Sequence, residues 1–329
     1  METRLLGRTG REVSVVGLGC WQLGGDWGQV SEDDALAVLA AAADSGVSFL
    51  DTADVYGDGR SEQLIGRFLA QRGDSAPLTV ATKMGRRADP HEAAAYTLDA
   101  FRRWTDRSRD NLGVDRLDLV QLHCPPTAVY ADDWVFDALD TLVQEDRISA
   151  YGVSVETVDE ALRAIDRPGV ATVQIVLNAF RRKPLERVLP AALAHSVGIV
   201  ARVPLASGLL SGKYDEQTIF AEQDHRTYNR SGDAFDIGET FSGVPFEVGV
   251  RAARRVSALT PAGATTAQLA LRWIVDQPGV SSVIPGARNA EQAAANAAAA
   301  DLRPLTAEQL ESLEQIYDTD ISEHVHDRW

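Results

Sequence analysis

The chain is predicted to fold as an α/β protein of the (β/α)8 (TIM) barrel type, with an N-terminal β-hairpin and an extra helix at its C-terminus. Three observations carry that prediction. Short apolar runs that suit buried strands alternate with stretches of helical period along almost the whole length. Eight such runs can be counted, and parallel strands joined by right-handed helical crossovers close most simply as a barrel. The 329 residues are enough for one large barrel, and no internal repeat or interdomain linker interrupts them, so 1–329 reads as one domain.

The elements follow in order. Residues 4–7 and 12–14 flank the turn-rich Arg8-Thr9-Gly10-Arg11, which suits a hairpin. Val15-Val16-Gly17-Leu18-Gly19-Cys20-Trp21 reads as the first buried strand, with glycines where backbone must approach something closely. The dinucleotide fingerprint G-x-G-x-x-G fails there, because Gln22 stands where the third glycine is required, and a Rossmann domain loses support. Ser31 caps an alanine-rich helix to Asp44. The run Val47-Ser48-Phe49-Leu50 ends on Asp51, and a loop carrying Tyr56, Gly57 and Gly59 leads into a helix over 61–71 that Ser61 can cap. A strand over 78–83, a helix over 90–111 stopped by Gly113, and a strand from Leu117 that ends in His123 come next. Helices over 133–145, 157–165 and 185–195 alternate with strands over 148–154, 172–178 and 198–202. The stretch 205–247 breaks this rhythm, and so long a loop is usually functional or mobile. Helices over 248–259 and 265–276 precede the last strand, 280–284, and a terminal helix over 306–317 ends in the tail HVHDRW.

A net charge of −16 and a pI near 4.8 argue against non-specific binding to nucleic acid or to an anionic membrane, so any anionic ligand must be met by local cations. The opening METRLLGRTG lacks the apolar centre of a secretory signal, and no run approaches the ~20 apolar residues of a membrane span. A soluble, cytoplasmic protein is expected. Cys20 and Cys124 are too few for a disulfide framework or a zinc cluster; they approach each other near the strand ends or simply serve as small apolar residues.

Asp51, Tyr56, Lys83 and His123 all sit at or just beyond the ends of successive predicted strands. Barrel enzymes build their sites at the C-terminal ends of the strands, so the four should converge. A phenol, with a pKa near ~10, is a poor proton donor at neutral pH unless a cation stabilises the phenolate, and Lys83 is the best candidate for that cation. The bland alternatives are a packed tyrosine, an aspartate satisfying backbone amides and a histidine hydrogen-bonded in a wall. Four titratable groups clustered without a use would be costly, which favours the joint reading.

With these residues in place the sequence resembles the aldo-keto reductases, of the bacterial type. The resemblance runs from RLLGRTGREVSVVGLGCW through FLDTADVYG, ATK, DLVQLHCP, GVS, VQIVLN and PLASGLLSGKY to VIPGARNAEQ. It implies a (β/α)8 barrel whose bottom the hairpin closes, and NADP(H)-dependent reduction of aldehydes or ketones. By that resemblance Tyr56 donates a proton to the carbonyl oxygen, Lys83 lowers its pKa, Asp51 pairs with Lys83 and His123 orients the carbonyl. Gly19, Cys20, Trp21 and Asp51 lie along the cofactor, while Ser154 and Gln174, with Asn178 in support, face the nicotinamide carboxamide. The asparagine usual after that serine is Val155. Arg202 replaces an aromatic ring that stacks on the nicotinamide in most relatives, and either stacks through its guanidinium or turns toward the pyrophosphate. Pro204, Leu205 and then Ala206, Ser207 and Gly208 through Lys213 match the loop over the pyrophosphate. Gly286 and Arg288, followed by Gln292 and Asn296, match the adenosine-phosphate end, where a helix N-terminus adds an anion site. Ala295 replaces an acid found in some relatives.

The expected partner is a small carbonyl or alcohol substrate. Trp21, Trp27, Tyr130 and Trp134 are candidates to line an apolar pocket or to pack in the core, and the tail 324–329 is a candidate cover. No metal is expected, since His324-x-His326 lies in a tail expected to be mobile and strand-end histidine pairs are missing. Two other readings keep the same residues: a nucleotide-binding redox sensor or regulatory subunit of this fold, and a sugar or alcohol dehydrogenase working in the oxidative direction.

Overall fold

Strand alternation decides which side chains reach the middle of this molecule. The computed structural model describes residues 1–25, 30–72 and 77–329. Its strands are β1 (Thr3–Leu5), β2 (Glu12–Ser14), β3 (Leu18–Gly19), β4 (Phe49–Asp51), β5 (Thr79–Met84), β6 (Leu119–His123), β7 (Tyr151–Ser154), β8 (Val170–Val176), β9 (Gly198–Arg202) and β10 (Val280–Val283). The last eight form one sheet in chain order, every neighbour parallel, and bridges Val16↔Val283 and Gly19↔Gly286 bring the last strand against the first. Helices on the outside connect successive strands, which makes this a (β/α)8 barrel.

Within the barrel, residues i and i+2 of each strand stack in layers. Phe49, Ala81, Leu119, Val200 and Ile284 form an apolar layer with Leu6 and Val13 from the hairpin, which covers the bottom of the barrel. Two residues further along four of these strands, toward the C-terminal ends, stand Asp51, Lys83, Gln121 and Arg202, whereas Leu50, Val120 and Ala201 face the outer core. The fold therefore lays a polar floor on an apolar plug. Gly7 lets the hairpin sit this close: its φ is +53°, and a Cβ there would lie 2.1 Å from the Ala171 carbonyl oxygen. The close approach expected of the β3 glycines is to neighbouring strands, for a Cβ on Gly17 would meet Phe49 O at 2.9 Å and one on Gly19 would meet Ile284 O at 2.8 Å.

Several boundaries differ from the sequence reading. Trp21 begins a short helix, Trp21–Gly24, rather than ending a strand. The helix expected from residue 90 spans Leu98–Leu112, because the Thr97 side chain accepts from Ala100 N and sets a later start; Gly113 does stop it, at φ 68°. Ser61 lies inside the helix Arg60–Arg72 and does not cap it. Its hydroxyl instead donates to Cys20 O at 2.9 Å and accepts from Thr52 at 2.8 Å, tying the Asp51 loop to the end of β3.

The tail is docked. A π-helical turn, Tyr317–Ile321, and a short helix, Ser322–Val325, lead to Trp329, whose ring is 7% exposed, stacks under Arg181 at 3.5 Å and donates to Asp236 at 3.0 Å. The segment 205–247 is organised around the rings of Tyr214, Phe220, Phe241 and Phe246, with Arg226 paired to Asp224 and lying 4.3 Å from the Phe220 centroid. Among the described residues no helix is long and apolar enough to cross a membrane.

Candidate active site

The polar floor carries the chemistry. Lys83 Nζ, 1% exposed, donates to Asp51 Oδ1 at 2.5 Å and to Thr52 O at 2.8 Å, and lies 3.4 Å from the Tyr56 hydroxyl. The second Asp51 oxygen accepts from Gln174 at 2.7 Å and from Gln121 at 3.2 Å. A buried ion pair costs desolvation that only good geometry and satisfied lone pairs offset, and both conditions hold here. Burial pulls the Lys83 ammonium down, but Asp51 and Tyr56 outweigh it and its pKa stands above the ordinary lysine value. Burial pushes the Tyr56 phenol up; Lys83 lowers it as expected but only in part, so its net pKa lies above the ordinary tyrosine value. Tyr56 is thus protonated at neutral pH with an ammonium beside it.

Tyr56 owes its position to a glycine contact. Gly57, at φ +58°, lets the loop press on Gly24, whose carbonyl oxygen a Cβ would meet at 2.2 Å. That contact holds Trp21 over the site, stacked on Tyr56 with centroids 5.9 Å apart. His123 meets Tyr56 edge-on at 5.9 Å. Burial, then Arg86, Lys83 and Arg202, hold its pKa well below the ordinary imidazole value. The four candidates at the strand ends therefore stand in one place.

Two residues that the sequence reading did not single out complete this end. Arg86 donates from Nη1 toward His123 Nε2 at 3.3 Å, and both of its terminal nitrogens lie 3.4 Å from Glu239 Oε1. Glu239, 6% exposed, comes from the long segment after β9 and also faces Arg202 at 3.6 Å. Burial would raise the Glu239 carboxyl, but the two guanidiniums outweigh it and lower its pKa. Arg86, three residues beyond Lys83, was within reach of the strand-end argument. Nothing local marked Glu239.

Arg202 is buried and directs its guanidinium to Val155 O at 3.0 Å and to Glu239, rather than into the loop that follows β9; its Nε has no partner among the described residues. Val155 thus contributes its carbonyl where the resemblance expects an asparagine side chain. Around this corner the backbone is strained: Cys124, Val203, Ala206 and Ser207 all have positive φ, which is costly above all for a β-branched valine.

A cavity of about 360 Å³ runs from this corner along the top of the barrel. Gly19, Cys20, Trp21 and Asp51 line it near Tyr56 and His123, with Ser154 and Gln174 on the adjoining strand ends. Pro204, Leu205, Ser207, Gly208 and Lys213 also line it, as do Arg288, Gln292, Asn296 and Gly286, the last bridged to Gly19. Ala206 is fully buried behind that wall, and Asn178 is turned away from the cavity to bind Val203 O and Ser242. Gly208 is required for packing, since a Cβ there would lie 2.3 Å from the Tyr214 hydroxyl. Gln292 accepts from Arg288 N at 2.9 Å and Asn296 donates to Gly286 O at 3.1 Å, so both shape the turn that presents the Arg288 side chain.

Of the proposed aromatic lining, Trp21 lines the cavity, Tyr130 is 2% exposed in the core and Trp134 is 42% exposed on an outer helix; Trp27 lies outside the described residues. Phe235 stands beside Trp21 at 5.9 Å instead, with Arg86 over its ring at 5.7 Å. His324 and His326 pair with Glu323 and Glu186 respectively. Cys124, Glu156 and Glu239 lie close enough to share an ion, but Arg86 and Arg202 already face that cluster.

The model of the aldo/keto reductase family matches residues 15–318. An uncharacterised oxidoreductase of Bacillus subtilis is 30% identical over 98% of each chain. Among solved structures, a glycerol dehydrogenase from Gluconobacter oxydans superimposes with a TM-score of 0.79 at 28% identity, covering 99% of this chain and 97% of that one. An aldo-keto reductase from Klebsiella pneumoniae in complex with NADPH gives 0.70 at 25% identity, covering 96% of each. With a family match spanning the barrel and the site above it, the chain is a member of the aldo/keto reductase family.

Proposed function

We propose that the protein is an NADP(H)-dependent oxidoreductase that reduces aldehydes or ketones to alcohols, with Tyr56 as the proton donor. The observation that carries this is the buried Lys83, held by Asp51 at 2.5 Å and 3.4 Å from the Tyr56 hydroxyl, beneath a long cavity. The cavity fits the cofactor: hydroxyl and amide groups of Ser154 and Gln174 suit a carboxamide, and the cations Lys213 and Arg288 suit phosphates. The Klebsiella relative was solved with NADPH.

When bound, NADPH supplies the hydride. Tyr56 gives its proton to the carbonyl oxygen, Lys83 stabilises the phenolate left behind, and Asp51, gripped by Gln121 and Gln174, keeps Lys83 charged and in place. Such a positioned donor is worth roughly 10²–10⁴-fold. The same reading makes this a cytoplasmic enzyme of small molecules, one domain over 1–329. Single-turnover hydride transfer tests it: Tyr56→Phe should lose about 10²-fold or more while NADPH affinity stays within a few-fold. A near-wild-type rate in that variant would remove Tyr56 from the mechanism, and wild-type protein that binds NADPH but turns over no aromatic aldehyde would favour a nucleotide sensor.

A further inference from the structure

We propose that Glu239 balances the charge of Arg202 beside the nicotinamide, and thereby sets how tightly the protein holds the oxidised cofactor relative to the reduced one. The inference rests on the NADP(H)-dependent reading above. The nicotinamide ring is neutral in the reduced cofactor and carries one positive charge in the oxidised one, so a fixed charge in the wall beside it binds the two forms unequally. In the reduction the hydride leaves that ring for the carbonyl carbon, the C=O π bond breaks and the oxygen takes the Tyr56 proton. The oxygen must stand roughly 2.6–3.2 Å from the Tyr56 hydroxyl, and the hydride donor about 3–3.5 Å from the carbonyl carbon. The ring therefore belongs at the end of the cavity that Trp21, Tyr56 and His123 line.

Of the charged residues that line the cavity, Lys213 and Arg288 suit the phosphates, Arg226 is paired with Asp224, and Asp51 is matched by Lys83 at 2.5 Å. Arg202 and Glu239 remain, and they face each other at 3.6 Å. Both stand near the reacting group: behind the wall, Arg86 joins Glu239, at 3.4 Å, to His123, at 3.3 Å, and His123 meets Tyr56 edge-on. Beyond the effects of burial, Lys83 and Asp51, the Glu239 charge still reaches the Tyr56 phenol and raises its pKa. No other carboxylate pairs with Arg202 among the described residues. Burial pushes the nearby Glu156 carboxyl up to about 7, so it is only partly charged at neutral pH and Glu239 is the full negative charge opposite Arg202. The turn that carries Glu239 is clamped on two sides. The Ser207 hydroxyl donates to Glu239 O at 3.1 Å and accepts from Phe241 N at 3.0 Å, while Asp236 accepts from Gly238 N at 2.7 Å and from the Trp329 ring at 3.0 Å. A carboxylate held there stabilises the positive ring and draws the bound equilibrium toward the alcohol.

Equilibrium titration of NADP⁺ and NADPH by quenching of tryptophan fluorescence reads this balance without turnover, and working at pH 6 keeps Glu156 largely protonated. A unit charge about 7–10 Å away, at an effective dielectric of ~20–40, changes affinity roughly four- to fifty-fold. Glu239→Gln should weaken NADP⁺ relative to NADPH by a factor in that range. Arg202→Met should strengthen NADP⁺ relative to NADPH, and the double variant should return the ratio to within a few-fold of wild type. Equal losses of both forms in Glu239→Gln, the mark of a merely structural role, or an unmoved ratio in Arg202→Met, overturn the proposal. If Glu239→Gln does not fold, the opposite shift in Arg202→Met decides alone. Wild-type protein that binds neither nucleotide removes the NADP(H) reading and this inference together. Protein that binds both with the expected shifts but reduces no carbonyl loses the reductase reading and keeps the charge balance.

Discussion

Lys83→Met separates what the buried ion pair does for the fold from what it does for the reaction. The substitution replaces an ammonium that is 1% exposed by an apolar chain of similar length, and leaves Asp51, 2% exposed, with only the amides of Gln121 and Gln174, at 3.2 and 2.7 Å, among the described residues. Breaking a buried pair by removing one partner costs about 3–5 kcal/mol, a large share of the ~5–15 kcal/mol that ordinarily holds a domain. Adding Asp51→Asn removes the stranded charge, so the double variant should regain most of that loss while its turnover stays at least roughly 10²-fold down. Urea unfolding at neutral pH and single-turnover kinetics on the three proteins measure the two effects. The pKa of Lys83 is raised by folding. Its stabilisation is therefore complete below the ordinary value of about 10.4 and is lost as pH climbs through the folded value, so the gap to wild type should be flat from neutral pH to about pH 10 and close above it. A loss under about 1 kcal/mol in Lys83→Met, the scale of an exposed pair, or a double variant as unstable as the single, would refute the argument.

Other expectations follow from particular side chains. Arg288→Ala should weaken NADPH roughly ten- to hundred-fold and leave NADH nearly unchanged, because a charge-assisted bond contributes about 1.5–3 kcal/mol; tryptophan-fluorescence titration decides, and equal losses for both cofactors would show that Arg288 does not read the 2′-phosphate. Asp54 is buried with both carboxyl oxygens unpartnered among the described residues, and burial followed by Glu62 pushes its pKa up to about 7. Its acid form is favoured by folding, so stability is lost as pH rises toward that value, and Asp54→Asn should gain up to roughly 3–4 kcal/mol on wild type at pH 8 relative to pH 4. An equal gain at both pH values would mean that Asp54 does not titrate in this window. Trp329→Ala removes the ring that Arg181 covers at 3.5 Å and should cost about 3–5 kcal/mol in unfolding, as large-to-small core changes do, whereas a loss below about 1 kcal/mol would show the tail undocked.

The parts of the site legible in the sequence are those fixed by strand period and strand ends. Asp51, Lys83, Gln121 and Arg202 fall on inward positions of β4, β5, β6 and β9, so counting alternate residues from the apolar plug puts them in one layer without knowledge of any loop. Tyr56 and His123 adjoin that layer within a few residues of a strand. Alternation says nothing about a chain that leaves the barrel for some forty residues and returns. Glu239 reaches Arg86 across 153 positions, carried by an aromatic cluster and by a backbone with positive φ at Phe241 and Ser242, and neither feature has a period to detect. The same limit explains Trp329, which packs beneath Arg181, and Phe235, which takes the place expected of Tyr130 and Trp134. Barrel strands thus determine which groups do chemistry, whereas the segment after β9 determines what stands over them. The long segment can change its acid while Asp51, Lys83 and Gln121 of the floor, and Tyr56 beside them, stay intact. Selectivity among substrates should therefore follow Glu239 and Phe235 of that segment more closely than any residue of the floor.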